Sequence, residues 1–304
     1  MVTFSHVLFP TDLSDPSLRA ASFAAAIARW YDARLTVLHV VPTFEPVTVP
    51  SEAGYQGVTV QPPAPEEVRR QMTQAVPGDA LAGLDVRFEP TSGDPVRVIA
   101  NRARADAVDL IVMGTHGRSG FDRLMTGSVT ERVLRTAPCP VLTIPPHAAP
   151  AAEGGPLARI LCAVDFSPAS EAALRLALDL ARQSNGAVTV LHAVEWLEEE
   201  EPRAHAHFNV SEYRRYLRQD VKTRLDSLLT NESREWCDID TMVTFGRAHR
   251  EVLRVAHEQG TDLIVMGAQG RGGMGLALFG SATPPVVRDA ACPVLVVRGS
   301  TATE

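Results

Sequence analysis

The stretch DLIVMGTHGRSGFDRLMTGS, residues 109–128, is repeated as DLIVMGAQGRGGMGLALFGS, residues 262–281. The first six residues are identical in the two copies, and glycines then recur at the same positions in both. Gly114 corresponds to Gly267, which sets the offset between the copies (267 − 114 = 153). Solenoid repeats have periods of roughly 20–50 residues, so an offset this long indicates two copies of a whole domain.

The same offset extends over each half of the chain. It relates Asp12 to Asp165, His39 to His192, Gly93 to Gly246 and Cys139 to Cys292. Between the halves, the segment PPHAAPAAEGGPL is rich in Pro, Ala and Gly, as linkers often are. We therefore predict a first domain over residues 1–147, a linker over 148–157 and a second domain over 158–304.

Each half alternates short apolar segments with amphipathic ones, which predicts strands alternating with helices. Ser167 followed by Pro168, and Asp94 followed by Pro95, are typical of helix starts, and Gly186 is expected to end the helix that begins at Pro168. Strands that are apolar throughout and separated by helices imply a parallel sheet covered on both faces. The predicted fold class is α/β, with two tandem copies of a five-stranded, doubly wound, Rossmann-like domain.

The two halves differ most in the middle. Residues 42–67 are rich in proline, and we expect an irregular excursion there. The corresponding part of the second half, residues 195–210, carries the acidic run EEEE, which is interpreted as a solvated face.

The composition of the chain argues against some classes of function. The chain has 304 residues, 45% hydrophobic and 21% charged, with a formal net charge of −7 and a pI of about 5.7. An acidic balance argues against nucleic acid as a partner. No apolar stretch approaches the roughly 18–20 residues of a membrane span, and the N-terminus does not resemble a signal peptide, so we expect a cytoplasmic protein that does not bind membranes.

The cysteines form no metal-type or redox-type pair. There are four, none in a C-x-x-C arrangement, and Cys139 and Cys292 stand at equivalent places in APCPVL and AACPVL. A small apolar residue that opens a buried strand explains both better than a disulfide or a metal ligand.

The repeated glycine segment suits a phosphate-bearing ligand. In open parallel sheets, ligands bind beyond the carboxyl ends of the strands where the strand order reverses. If the first and fourth strands of each half are neighbours, Asp12 or Asp165 meets the glycine loop there. Glycines let the backbone approach a ligand closely. The Gly-Ser pairs at 127–128 and 280–281 would open helices whose backbone N–H groups favour an anion, and Arg118 or Arg271 would add positive charge.

Each of these residues also has a purely structural interpretation. Asp12 and Asp165 would then only cap the following helices, a role that Ser14 and Ser167 also suit. The glycines would only permit a tight turn, and Ser128 and Ser281 would be ordinary N-caps. The recurrence of the whole set in both halves favours the binding interpretation.

The combined motifs resemble those of the universal stress protein family. The pattern G-x2-G-x9-G-S occurs twice, together with PTDLS or AVDFS after the first strand and APCPVLTI or AACPVLVV at the last. The resemblance is to the tandem form and covers nearly the whole chain apart from residues 42–67, the linker and 195–210. It implies a regulatory stress-response protein that binds ATP, with or without Mg²⁺, in the crevice of each domain. It also implies that the last strands of the two halves pair, so that one chain forms a pseudo-dimer, and it leaves room for further association of chains as homo-oligomers.

The resemblance assigns nucleotide-contacting roles to matching positions only. Asp12 and Asp165 would contact the adenine or ribose, Val40 and Ala193 would line the base with Met113 and Met266 beside it, and the glycines and serines would hold ribose and phosphates. The full first-half set is Pro10, Thr11, Asp12, Val40, Met113, Gly114, His116, Gly117, Arg118, Gly127, Ser128 and Val129. The second-half set is Ala163, Val164, Asp165, Ala193, Met266, Gly267, Gly270, Arg271, Gly280 and Ser281.

The second half departs from the family pattern. Gln269 stands where the first half has His116, and GSVTERVL becomes GSATPPVV. Pro284 and Pro285 fall in the first helical turn, where backbone N–H groups lack partners in any case, so we expect the helix to survive. We expect a different shape at the phosphate end of the second site, and Ala193 in place of Val40 would widen its base pocket.

Other functions have weaker support. GRGGMG, residues 270–275, matches a dinucleotide fingerprint, but it follows the fourth strand rather than the first, and no Walker A sequence occurs. His205 and His207 are too few ligands to establish a metal site, while His39 and His192 are expected to be hydrogen-bonded core residues. No catalytic base or nucleophile is evident, so at most slow ATP hydrolysis is expected. The alternative that stays open is a scaffold or dimerisation module of the same fold that binds no nucleotide, or another small ligand.

Overall fold

A computed structural model describes residues 2–43, 47–51, 54–58, 63–115, 128–148, 157–195, 210–270 and 280–299. The elements of the first half are β1 (His6–Pro10), α1 (Asp15–Leu18), α2 (Ala20–Tyr31), β2 (Arg34–Val41), β3 (Val47–Ser51), β4 (Gly54–Val58), α3 (Pro65–Ala75), α4 (Gly78–Leu81), β5 (Val86–Ser92), α5 (Pro95–Ala105), β6 (Leu110–Gly114), α6 (Ser128–Thr136) and β7 (Val141–Ile144). Those of the second half are β8 (Arg159–Ala163), α7 (Pro168–Ser184), β9 (Ala187–Val194), α8 (Val210–Ser227), α9 (Asn231–Trp236), β10 (Asp238–Phe245), α10 (Ala248–Glu258), β11 (Leu263–Gly267), α11 (Thr283–Asp289) and β12 (Val294–Val297).

Ten of the strands form one sheet in the order β10-β9-β8-β11-β12-β7-β6-β1-β2-β5. Within each half the five strands are parallel and the chain order is 3-2-1-4-5, so the first strand lies between the second and the fourth. This is the doubly wound arrangement with its strand order reversing at the first strand. The prediction of two tandem copies of a five-stranded parallel domain is confirmed.

The two halves join through their last strands, which run antiparallel. Leu142 of β7 is directly opposite Leu295 of β12, and the two residues occupy equivalent positions in the repeat. The pairing is therefore self-complementary, as in a two-fold dimer, and the predicted pseudo-dimer is confirmed. Because the two sets of parallel strands run in opposite directions, their carboxyl ends lie on opposite edges of the sheet.

Helices cover both faces of this sheet, and each face has its own hydrophobic core that extends across both halves. On one face, α2 and α7 pack their alanine-rich sides onto the strands, with α3 and α8 beside them. On the other face, α5 and α6 of the first half and α10 and α11 of the second half do the same. Apolar burial on both faces explains why the central strands are hydrophobic at nearly every position.

The predicted helix starts are confirmed. The Asp94 side chain accepts a hydrogen bond from the backbone N–H of Arg97, and Ser167 forms a capping box with Ser170. The helix end at Gly186 was wrong by two residues, because α7 stops at Ser184 and Asn185 takes the left-handed conformation. A Cβ atom at Gly186 would overlap the backbone carbonyl of Leu157, so this glycine serves a close approach of two chain segments.

The prediction of an irregular excursion over residues 42–67 was wrong in part. β3 and β4 form a separate two-stranded antiparallel ribbon there, and α3 begins at Pro65. Pro50 lies within β3, where a two-stranded ribbon leaves one side of each strand unpaired and therefore tolerates a missing N–H group. The acidic run EEEE, residues 198–201, lies outside the described residues, and of the segment 195–210 only Glu195 and Val210 are described.

All four cysteines are free thiols. Cys139 and Cys162 are buried, and burial raises the pKa of Cys139 to about 12 and that of Cys162 still further. Cys292, which precedes β12, has a pKa raised to about 11 for the same reason. Within the part of the chain that the structure describes, no helix is both long and apolar enough to cross a membrane.

Candidate functional site

The candidate site of each half lies at the carboxyl end of its first strand, where the strand order reverses. β1 pairs with β2 on one side and β6 on the other, and β8 pairs with β9 and β11 in the same way. The residues that follow β1 and β6, or β8 and β11, therefore lie side by side. The predicted binding site requires the first and fourth strands of each half to be adjacent, and they are.

Asp12 and Asp165 follow these strands and make the same local contacts. Asp12 Oδ1 accepts hydrogen bonds from the backbone N–H (3.1 Å) and hydroxyl (2.6 Å) of Ser14. Asp165 Oδ1 accepts equivalent bonds from the N–H (3.0 Å) and hydroxyl (2.6 Å) of Ser167. Neither aspartate is itself the N-cap, because Ser14 and Ser167 hold that position. Each carboxylate thus uses one oxygen to orient the turn that leads into the first helix.

The backbone between each aspartate and its serine is unusual. Leu13 and Phe166 both have φ values of 62°, in the left-handed region that bulky side chains rarely adopt. The same left-handed φ value at two equivalent positions shows that the turn has the same geometry in both halves. Such strained residues persist only where the surrounding structure fixes them, and they are frequent at functional sites.

Histidines of the neighbouring strands β2 and β9 form hydrogen bonds to the same turns. The Nδ1–H group of His39 donates to the carbonyl oxygen of Thr11 at 2.8 Å, and that of His192 donates to Val164 at 2.6 Å. A carbonyl oxygen can only accept, so it fixes the proton on Nδ1 in each ring. The prediction of a hydrogen-bonded core residue is confirmed for His39, whereas His192 is hydrogen-bonded but only half-buried.

In the second half the glycines bring three chain segments together. A Cβ atom at Gly267 would lie 2.8 Å from the backbone nitrogen of Ser170, so this glycine lets the end of β11 pass against the first turn of α7. A Cβ atom at Gly270 would lie 2.8 Å from Oδ2 of Asp165. The Asp165 carboxylate therefore faces the backbone of the glycine loop directly.

The third glycine closes the loop. The N–H group of Gly280 donates to the carbonyl oxygen of Ala268 at 3.0 Å, and a Cβ atom at Gly280 would lie 3.2 Å from the backbone nitrogen of Gly270. The Ser167 hydroxyl also donates to the carbonyl oxygen of Gln269 at 3.1 Å. The beginning and the end of the glycine segment thus meet beside Asp165.

Sequence reasoning missed a pair of threonines that hold the strand ends. The Thr130 hydroxyl donates to the carbonyl oxygen of Gly114 at 2.9 Å, and the Thr283 hydroxyl donates to that of Gly267 at 3.0 Å. Both threonines are buried. The signal was present, since GSVT and GSAT place a threonine at the same offset after each Gly-Ser pair.

The apolar residues predicted around the base are brought together only in part. Val40, Met113 and Met266 are buried in the core on the face of α5, α6, α10 and α11, and Ala163 packs against that core. Ala193, at the end of β9, is half-buried. Val164 is buried in the opposite core, so its side chain lies on the other face of the sheet from Met266.

The remaining first-half residues lie around the turn and the last helix. Pro10 and Thr11 are buried, and Thr11 Oγ1 accepts a hydrogen bond from the N–H group of Leu13 at 3.0 Å. Ser128 is exposed and is the first residue of α6, and Val129 is half-buried. The expected helix start at the Gly-Ser pair is confirmed in this half.

In the second half the corresponding helix starts later. α11 begins at Thr283 rather than at Ser281, and it has seven residues where α6 has nine. Pro284 and Pro285 occupy its first turn without preventing the helix, as expected. Ser281 is exposed and lies before the helix, whose N-cap is Ala282, so the predicted helix start at this Gly-Ser pair is wrong and Ser281 is not the N-cap of the structural alternative.

Several predicted residues lie outside the described part of the chain. They are His116, Gly117, Arg118 and Gly127 of the first loop, Arg271 of the second, and the two histidines His205 and His207. Among the described residues, no group of three or more His, Cys, Asp or Glu side chains is arranged to hold a metal ion.

Comparison with known proteins identifies relatives of both halves. The universal stress protein family model matches residues 3–145 and again residues 157–298. A universal stress protein of Mycolicibacterium smegmatis is 28% identical over 298 residues, which is 96% of each chain. The crystal structure of a universal stress protein from Archaeoglobus fulgidus has the same fold, with a TM-score of 0.65 and 22% identity over 98% of this chain and 99% of that one. A universal stress protein solved in complex with cAMP is 26% identical, with a TM-score of 0.35, and covers 47% of this chain and 98% of its own.

Proposed function

We propose that this chain, which belongs to the universal stress protein family, binds an adenine nucleotide of the ATP type at the carboxyl end of each half and acts as a cytoplasmic stress-response regulator. The observation that carries the proposal is the meeting of the Asp165 carboxylate with the backbone of Gly270, which Gly280 approaches from the other end of the loop. A carboxylate beside a loop backbone that carries no side chain at Gly270 would offer an acceptor for ribose or base, and loop N–H groups other than that of Gly280, which already donates to Ala268, would be the donors for phosphate.

The carboxylate suits the neutral part of the nucleotide. Asp165 Oδ1 is held by Ser167, and this orients the group towards the loop. An ionised carboxylate accepts strong hydrogen bonds from hydroxyl groups. Asp165, and Asp12 by equivalence, would thus accept from ribose or from the adenine amino group, and would not bind phosphate, which carries the same charge.

The glycine loop suits the phosphates. Because Gly270 has no side chain, the loop backbone would approach a phosphate closely and its N–H groups would donate to the phosphate oxygens. Arg118 and Arg271 would supply charge to the outer phosphates. In the first half the start of α6 at Ser128 adds helix N–H groups, whereas the later start of α11 leaves the second half more dependent on its loop.

The adenine ring would lie against the buried apolar residues at the ends of the neighbouring strands. Met113 and Val40 would take this role in the first half, and Met266 and Ala193 in the second. Mg²⁺ usually keeps several waters and is held largely by nucleotide phosphates, so it would enter with the nucleotide. The four free thiols suit a reducing compartment such as the cytoplasm.

Calorimetric titration of the full chain with Mg-ATP tests the proposal through its stoichiometry. We expect saturable binding at one or two sites per chain. Gly270→Val should remove the second-half site because its side chain would occupy the space next to Asp165 Oδ2. Gly117→Val should remove the first-half site, and the double variant should bind nothing.

The matched control is Gly78→Val, where a Cβ atom would have no neighbour within 4 Å. It should bind like the unaltered chain. Titration with cAMP, which lacks the outer phosphates, separates their contribution from that of the base and ribose. Unchanged binding in the Gly117→Val/Gly270→Val double variant would contradict the glycine-loop assignment.

The alternative is a scaffold of the same fold that binds no nucleotide. The fused ten-stranded sheet supports it, because such a platform needs no ligand to form. Binding to the native state alone stabilises a protein by about 2.7 kcal/mol at a ligand concentration 100 times the Kd. No rise in melting temperature at millimolar Mg-ATP, with no heat of binding, would favour the scaffold.

Domain boundaries and association are separate parts of the proposal. We propose 1–147 and 158–304 as the domains, and limited proteolysis within 148–157 tests those limits. The outer strands β5 and β10 end the sheet, and one neighbour each leaves them able to pair with another chain. Sedimentation of the chain with and without ATP would test for homo-oligomers.

A further inference from the structure

The C-terminus of α6 is bound by a residue of the other half. Arg298 follows β12, and its Nη1 group donates to the carbonyl oxygens of Arg135 at 2.9 Å and Ala137 at 3.1 Å. The last carbonyl groups of a helix have no partner within the helix and carry partial negative charge, so a guanidinium group supplies both donors and the opposite charge. Arg298 therefore connects the last helix of the first half to the last strand of the second.

α6 extends across the sheet from one candidate site towards the other. It begins at Ser128 beside the first site, where the Thr130 hydroxyl holds the end of β6. Its nine residues span about 14 Å and end at Thr136, shortly before β7. The start of β7 lies beside the end of β12, because Val141 is paired with Val296. The C-terminus of α6 thus lies at the edge of the sheet that carries the second site.

The residues on either side of Arg298 contact the second site. The carbonyl oxygen of Val297 accepts a hydrogen bond from the N–H group of Ala268, where the glycine loop begins, at 2.8 Å. A Cβ atom at Gly299 would lie 3.2 Å from the backbone nitrogen of Ala169, so the chain passes close to the first turn of α7. The glycine loop and this turn are two of the segments that form the second site, and both are in contact with the residues that flank Arg298.

The repeated fold does not require the bond between Arg298 and α6. The repeat places Pro145 at the position equivalent to Arg298 (298 − 153 = 145). Proline has neither a side-chain donor nor an N–H group, so Pro145 cannot bind the C-terminus of α11 in the same way. The backbone contact is repeated, since the N–H group of Thr115 donates to the carbonyl oxygen of Ile144 at 3.0 Å. The guanidinium link is therefore an addition to the second half.

We propose that Arg298 is a positioning residue that couples the two nucleotide sites, which rests on the nucleotide binding proposed above. Phosphates bound at the N-terminus of α6 would fix that helix. Through Arg298, a fixed α6 would hold residues 297–299 in place, and with them the start of the glycine loop and the first turn of α7. The second binding event would then have less ordering to supply, so binding at the first site should strengthen binding at the second, and the reverse by reciprocity.

Calorimetric titration of the full chain with Mg-ATP measures the coupling. Gly270→Val leaves only the first site and Gly117→Val leaves only the second, so these variants give the Kd of each site alone. In the unaltered chain the two sites together should bind at least about 5-fold more tightly than the separate constants predict. Arg298→Ala, combined with the same glycine variants, should remove this difference and leave the Kd of each site alone nearly unchanged.

Two variants separate coupling from the stability of the helix end. Arg298→Lys keeps the charge and one donor group, so it should retain part of the coupling. Arg104→Ala is the matched control, because Arg104 Nη2 donates to the carbonyl oxygen of Thr136 at 3.2 Å and so binds the same helix end from within the first half. It should lower stability as Arg298→Ala does and leave the coupling intact.

Amide hydrogen exchange provides a second readout in the Gly270→Val chain, where only the first site binds. Mg-ATP should slow exchange at Ala268 and at Ser170 in the first turn of α7, and adding Arg298→Ala should abolish this effect. Independent binding at two sites, binding at one site only, or equal loss of coupling in Arg104→Ala and Arg298→Ala would overturn this proposal and leave nucleotide binding standing. The absence of any Mg-ATP binding would overturn both.

Discussion

Replacing Gly267 by alanine should destabilise the second half because the new Cβ atom has no room. It would lie 2.8 Å from the backbone nitrogen of Ser170 and 2.9 Å from the carbonyl carbon of Ala169. Favourable contacts of this kind lie at about 3.5 Å or more, so β11 and α7 would have to separate by about 0.7 Å. Backbone atoms of a capped helix turn cannot yield as a flexible side chain can.

The size of the effect follows from two opposing terms. Overpacking a tightly packed core costs about 1–3 kcal/mol. Removing a glycine restricts the unfolded chain and returns about 0.4–1 kcal/mol. The free energy of unfolding should therefore fall by about 1–2 kcal/mol, which corresponds to a melting temperature lower by about 2–8 °C for a domain of this size.

Urea denaturation of the full chain, followed by circular dichroism, measures this loss. Gly78→Ala is the matched control, because a Cβ atom there has no neighbour within 4 Å. It should leave stability unchanged or slightly raised. The argument from close packing fails if Gly267→Ala unfolds at the same urea concentration as Gly78→Ala.

Three further predictions concern the junction, the thiols and the buried tyrosine. Leu295→Ala should lower the free energy of unfolding by about 2–5 kcal/mol, and combining it with Leu142→Ala should give a non-additive loss in urea denaturation because the two residues are paired across the junction. A thiol reagent should modify Cys237 before Cys162 in the native chain, since Cys237 is half-buried and Cys162 is fully buried. Mass spectrometry of the labelled peptides measures the order, and earlier labelling of Cys162 would contradict the prediction. The raised pKa of Tyr31, about 12 against an ordinary 10, favours its protonated form in the native state, so this contribution to stability is complete below pH 10 and lost as the pH rises towards 12. Alkaline titration of tyrosinate absorbance should show one late-ionising group that Tyr31→Phe removes, and an unchanged curve would contradict it.

The positions of the sheet strands could be predicted from the sequence, because a strand that is buried on both faces is apolar at nearly every position. DLIVMG is apolar almost throughout, as a strand covered on both faces must be, and it forms β6 and β11 within one residue of the expected limits. The helix starts at Asp94 and Ser167 were equally clear, since a capping side chain followed by proline acts within one turn.

The predicted limits of strands and helices were wrong where contacts with distant residues, or weak local preferences, determine the structure. Proline at position 50 argued against a strand, yet an isolated ribbon accepts it. Gly186 resembled a helix-ending glycine, but it is required by the approach of Leu157, twenty-nine residues earlier in the chain, and Asn185 ends the helix instead. Two prolines after Ala282 moved the start of α11 away from Ser281.

The candidate site was predictable in position but not in its contacts. The order of the strands followed from the fold class, and it placed Asp165 beside the loop of Gly267 and Gly270. No pattern indicated that one oxygen of Asp165 would be held by Ser167, or that Thr283 would hold the end of β11. The bonds between Arg298 and the end of α6 could not be inferred, because they depend on how the two halves pack across the junction.

The paired strands β7 and β12 belong to one polypeptide, whereas in a dimer of identical subunits they would belong to two. In such a dimer every substitution appears on both sides of the axis, and the two subunits part on dilution. Here the linker keeps the effective concentration of one half near the other high at any dilution. A substitution changes one side alone, so Tyr31 can occupy the position at which the other half has Ser184, and each half is free to acquire residues that its counterpart lacks.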